Sequence, residues 1–175
     1  MVNYLNHYYF SGLQKNLSGQ YPEAVADYTK AIGIDSSHID AYLKRGVLRY
    51  KILKQYEESL SDFNKAIELN PHCSAAYLHR GIVKCHLLRF SEALPDLDRA
   101  VELDPNDERA FLNRGKLKYM LKHDKSAVCT DLEKAILLHS PQAADMIKLF
   151  YGEGMESMQE YLNTTVKEKL KNKKN

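Results

Sequence analysis

The chain has few cysteines, and they are scattered. Cys73, Cys85 and Cys129 are the only three in 175 residues and form no CxxC pair. That excludes a disulfide framework and points to a reducing compartment. No apolar run approaches the roughly 18 residues that a membrane span needs. The opening MVNYLNHYYF has neither the charged start nor the apolar core of a signal peptide. The expected location is therefore cytoplasmic, and the two N-x-[ST] matches at Asn16 and Asn163 are expected to be chance. A formal net charge of +2 is too small to define a partner by itself.

Catalytic signatures are also missing. There is no HExxH, Walker A, GxSxG or GxGxxG. The acids Asp27, Asp62, Asp96 and Asp131 recur evenly along the chain, as structural residues do. His72, Cys73, His79, Cys85 and His86 crowd one stretch, which raises the question of zinc. His79 and His86 are seven positions apart, about 10.5 Å along a helix. Ligand pairs on one helix need a spacing of three or four. No enzyme activity, cofactor or metal is expected. Cys85 would be reactive only if it faced a groove.

What the chain does contain is one unit copied four times. Ala41 to Pro71 reads AYLKRGVLRYKILKQYEESLSDFNKAIELNP. Its first half carries Tyr42, Leu43, Val47, Leu48 and Tyr50, with Gly46 among them. After the polar break at Lys54–Gln55 come Leu60, Phe63, Ala66, Ile67 and Leu69 at three- and four-residue steps. The steps predict two amphipathic helices joined by a tight turn. Tyr42-Leu43-Lys44-Arg45-Gly46 returns as Tyr77-Leu78-His79-Arg80-Gly81 and as Phe111-Leu112-Asn113-Arg114-Gly115. Gly12, Gly46, Gly81 and Gly115 lie 34, 35 and 34 residues apart. Neither helix could bury its stripe alone, so the copies must pack on one another.

This pattern resembles the tetratricopeptide repeat (TPR), W-x2-L-G-x2-Y, A-x3-F and P at period 34. The resemblance covers residues 4 to 141. The Trp position holds Tyr8, Tyr42, Tyr77 or Phe111. The Leu before Gly is Ser11, Arg45, Arg80 or Arg114, and the Tyr after it is Lys15, Arg49, Lys84 or Lys118. The A-x3-F pair appears as Ala24/Tyr28, Ser59/Phe63, Ala93/Leu97 and Val128/Leu132. The implied fold is all-α, a right-handed superhelical solenoid of antiparallel helix pairs. Residues 1–141 would form the four-repeat array. Residues 142–175 would hold a capping helix, a further amphipathic helix from Met155 to Leu170, and a basic tail. Asp35-Ser36-Ser37 and Ser91 offer helix caps, and Arg45 is expected to pair with Asp27 or Asp62.

TPR resemblance further implies that the first helix of each pair lines a concave groove that takes a peptide. Carried over by position, the first pair contributes Tyr9, Phe10 and Leu13, and the second Lys44, Val47, Tyr50 and Lys51. The third contributes His79, Ile82 and His86, and the fourth Arg109, Asn113, Lys116 and Tyr119. The clamp of chaperone-binding TPR proteins does not match, because its positions hold Tyr9, Leu13, Lys44, Ala75 and His79. With Lys44, Lys51, Arg109 and Lys116 set against Asp40, the groove carries an excess of positive charge. The expected partner is therefore an acidic protein or peptide segment with an apolar anchor. Nucleic acid is not expected, because the basic tail includes Glu168 and no aromatics interleave its lysines. An alternative reading is a self-associating assembly protein that forms a homo-oligomer through the last helix.

Overall fold

The computed structural model describes residues 2–151, all in helices or the turns between them. Contacts divide the chain into two compact units, Met1–Leu103 and Asp104–Asn175. The first unit contains α1 (Val2–Leu17), α2 (Tyr21–Ile34), α3 (Ile39–Lys51), α4 (Tyr56–Leu69), α5 (Ser74–His86) and α6 (Phe90–Leu103). Each packs on its neighbour in the chain, and α3 also meets α5. The second unit contains α7 (Glu108–Met120), α8 (Lys125–Leu137) and α9 (Pro141–Tyr151), again packed in sequence. The amphipathic segment from Met155 to Leu170 and the basic tail lie outside the described residues.

Small-against-large contacts hold each pair together. A Cβ at Gly46 would lie 2.9 Å from the Phe63 ring, so only hydrogen allows α3 and α4 this approach. Gly12 meets Tyr28, Gly81 meets Leu97 and Gly115 meets Leu132 in the same way. The small residue four before each large one is buried too, as with Ala24, Ser59 and Ala93. Ser59 belongs there because its hydroxyl donates to the Gly46 carbonyl at 2.9 Å. These glycine contacts account for the repeat-period spacing in the sequence.

The helix ends differ from the sequence expectation at two caps. Asp35 accepts from the Ser37 backbone N–H at 2.9 Å and so forms a local turn, while His38 caps α3 through Nδ1 to Ala41 N–H at 3.4 Å. Ser91 lies inside α6, not at its cap, because α5 has already ended at His86. Leu88, at φ 59°, turns the chain there, and Arg89 N–H reaches back to the Lys84 carbonyl at 2.9 Å. Gly19, Lys54 and Lys122 take the same left-handed conformation after α1, α3 and α7. Within the second unit α9 packs on α8, with Ala143 and Ile147 fully buried.

Candidate functional site

Two sets of cations leave the first helices of the pairs, and they do different things. The first set turns inward onto the recurring aspartates. Arg45 Nη2 meets Asp62 Oδ1 at 2.6 Å, and Arg49 Nη1 meets Oδ2 at 2.8 Å. Arg80 and Lys84 hold Asp96 at 2.6 and 2.8 Å, and Arg114 and Lys118 hold Asp131 at the same distances. In the first pair Ser11 donates to Asp27 at 2.6 Å and Lys15 supplies the charge. All four carboxylates are buried, so this pairing offsets a desolvation cost that would otherwise exclude them. Burial pushes the Asp27 carboxyl upward, but the Lys15 and Ser11 hydrogen bonds, with the charges of Lys15 and Lys30, hold it below its ordinary value.

The three arginines that directly precede a glycine also lie over the aromatic residue three positions before them. Arg45 is 5.5 Å from the Tyr42 ring, Arg80 is 5.4 Å from Tyr77 and Arg114 is 5.6 Å from Phe111. Within the first unit Arg45 and Arg80 reach the previous pair as well. Arg45 Nη1 donates to the Thr29 hydroxyl at 2.9 Å, and Arg80 Nη1 donates to the Asn64 side-chain oxygen at 2.8 Å. The sequence left Arg45 to Asp27 or Asp62, and the structure pairs it with Asp62. The second cation and the backward reach were missed, although bases recurring three residues after each glycine were the available signal.

The second set points outward. Lys44 and Lys51 on α3 are exposed, and neither has a carboxylate partner among the described residues. Around them lie the other predicted groove residues of the first unit. Leu13, Val47 and Ile82 are half-buried, while Phe10 is 59% exposed. Tyr9 is also half-buried, its ring 4.7 Å from His38. Tyr50 is placed differently, only 3% exposed and packed with Leu60, Phe63 and Val83. Its hydroxyl lies 3.1 Å from His79 Nδ1. His79 stacks on Phe63 and His86 on Tyr56, so both imidazoles belong to an aromatic cluster between α3, α4 and α5. Tyr50 is thus a support under this face and not part of its surface.

In the second unit, α7 carries the remaining four predicted residues. Arg109 turns back to Asp107 at 2.7 Å, and the Asn113 amide donates to the Arg109 carbonyl at 2.7 Å. Lys116 is half-buried and Tyr119 is 56% exposed. Burial pushes the Cys85 thiol up to about 11, so it is held as the unreactive thiol at neutral pH.

Comparison with known proteins agrees with this geometry. Family profiles described as TPR repeat and tetratricopeptide repeat match residues 12–52 and 43–108, together more than half of the chain. No curated protein matches. Among solved structures, the first TPR of Spaghetti (RPAP3) bound to the HSP90 peptide SRMEEVD is 28% identical, with a TM-score of 0.66. That match covers 69% of this chain and 94% of the other. The first TPR domain of human RPAP3 is 29% identical at a TM-score of 0.64, covering 67% and 92%. MamA shares the fold at 20% identity and a TM-score of 0.76, covering 99% and 96%. The glycine contacts at repeat period, the helix pairs that carry them and the profile matches lead to one assignment: the chain belongs to the tetratricopeptide repeat family.

Proposed function

We propose that this protein is a non-catalytic interaction module whose α1, α3 and α5 face binds an acidic peptide segment with an apolar anchor. The observation that carries this reading is the sorting of cations on α3. Arg45 and Arg49 are turned inward and share the buried Asp62 carboxylate, whereas Lys44 and Lys51 stand exposed beside the apolar Val47. An exposed cation next to half-buried aliphatic surface attracts carboxylates and rewards apolar contact in the same place. The similar RPAP3 domain takes SRMEEVD, a segment of that composition. Of the positions that hold a terminal carboxylate in chaperone-binding relatives, only Lys44 and His79 are basic here, so recognition would rest on the segment's interior acids.

The test is a fluorescence anisotropy titration of an acidic peptide panel against the full chain and against Lys44→Glu/Lys51→Glu. The variant is expected to weaken binding at least tenfold, and the salt dependence of the wild type is expected to flatten. Unchanged affinity and unchanged salt dependence in a folded variant would sink the proposal.

A further inference from the structure

The face formed by α1, α3 and α5 is not uniform, and its gradient specifies which end of a ligand goes where. Leu13, Val47 and Ile82 hold the same position in successive repeats and form an apolar row, half-buried throughout. Leu13 packs on the Tyr28 and Leu48 cluster, while Val47 and Ile82 pack on Tyr50 and Phe63. On either side of this row the residues change character from helix to helix. On α1 they are Phe10 and Leu17, 59% and 88% exposed. On α3 the corresponding positions are Lys44 and Lys51, and on α5 they are His79 and His86.

Nothing else on α1 alters that polarity. The helix has no acid in its sequence VNYLNHYYFSGLQKNL, its one lysine, Lys15, is bound to Asp27, and its histidine, His7, holds a repeat position other than those of Phe10 and Leu17. Charge therefore begins at α3. Lys51 Nζ lies 5.9 Å from the Tyr50 ring, and His86 approaches the same ring at 6.2 Å, so both stand at one end of the apolar row. On the facing helix α4, Glu57 is paired with Arg89 at 2.6 Å, and the exposed Asp40 at the start of α3 acts on Tyr9 of α1, where its charge would repel the acidic end of a ligand. Packed helix axes are about 8–10 Å apart, and an extended chain advances about 3.3 Å per residue. A peptide crossing from one helix to the next therefore meets the next apolar position about three residues later.

Building on the peptide-binding reading, we infer that this face takes an extended segment in one orientation. Its aromatic or aliphatic anchor lies over α1, its acids lie over α3 and α5, and aliphatic side chains three residues apart enter the Leu13–Val47–Ile82 row. Phe10 and Leu17 offer the anchor area that salt does not screen, and Lys44 and Lys51 offer the charge.

The experiment uses the full chain and synthetic 12-residue peptides with an aromatic residue at one end and Glu-Glu-Asp at the other. Two leucines between them are set two, three or four residues apart. Affinity is read by anisotropy, and orientation by the broadening of backbone amide signals from a nitroxide at either peptide end. The three-residue spacing should bind at least fivefold more tightly than the others. A nitroxide at the acidic end should broaden α5 amides and one at the aromatic end α1 amides. Phe10→Ala should lower affinity for the aromatic peptide and leave a Gly-ended analogue unchanged. Binding that ignores the spacing, or an acidic-end nitroxide that broadens α1, overturns this inference while leaving the peptide-binding reading intact. Absence of binding by every peptide overturns both.

Discussion

Asp27 illustrates what a buried carboxylate does when its pairing is good. Its proton affinity is depressed in the folded chain, so it contributes stability above its unfolded value near 4. That contribution is lost as pH falls through the lower folded value. Asp27→Asn should therefore be less stable than wild type at pH 7, by about 1–3 kcal/mol, with the difference shrinking toward pH 2. Urea titrations at several pH values would show it, and a pH-independent gap would contradict the assignment. Tyr28 presents the opposite case. It fills the large position of the first pair and is fully buried, yet its hydroxyl has no hydrogen-bond partner among the described residues. Burial pushes its phenol up to about 12. Tyr28→Phe should raise stability by about 1 kcal/mol, because it removes an unsatisfied polar atom and keeps the ring. A loss of stability in the same urea assay would mean the hydroxyl has a partner.

At the scale of one helix pair, the sequence states the contact plan almost completely. Glycine at one fixed position and a large residue at another predicted the approach of α3 to α4, since no other pattern needs both at period 34. Two glycines in this chain separate packing from backbone freedom. Gly46→Ala places a methyl 2.9 Å from Phe63 and 3.2 Å from Asp62, and should cost about 1–3 kcal/mol by overpacking. A Cβ at Gly33, inside α2, would meet nothing within 4 Å. Gly33→Ala should then stabilise by about 0.5–1 kcal/mol through helix propensity alone. Thermal melts of the two variants should shift in opposite directions. The sequence could not show that Tyr50 lies beneath the surface. Repeat position places it on the face, but His79 and His86 of the next pair close over it, and that depends on side chains of another helix. The cap at His38 was hidden for a related reason, because Asp35 satisfies Ser37 first.

At the scale of the chain, stability in a repeat array is a sum of terms within repeats and between them. Positions that face the previous pair read Ala41, Arg45 and Leu48 on α3, and Ala76, Arg80 and Val83 on α5. On α1 the same positions read His7, Ser11 and Gln14, so this helix presents a polar edge where the others present a packing surface. Between pairs, the hydrogen bonds from Arg45 to Thr29 and from Arg80 to Asn64 are polar joints that recur at the repeat period, beside the Tyr50–His79 and Glu57–Arg89 contacts. Thr29→Val should weaken the first joint by about 1–2 kcal/mol. If that joint couples neighbouring repeats, the variant's urea transition should also broaden. An unaltered midpoint and slope would show that apolar contacts alone carry the coupling.

The backward reach of these arginines gives the joint a direction, as a plug and socket have. The plug is the residue before the glycine, and the socket is a hydroxyl or amide two positions after the aspartate of the repeat before it. A repeat grafted into this array from another protein would need a matching acceptor for the arginine that follows it. Shuffling the internal units of this chain should therefore succeed more often than importing one whose socket position is apolar. Duplication within the gene would preserve the match automatically.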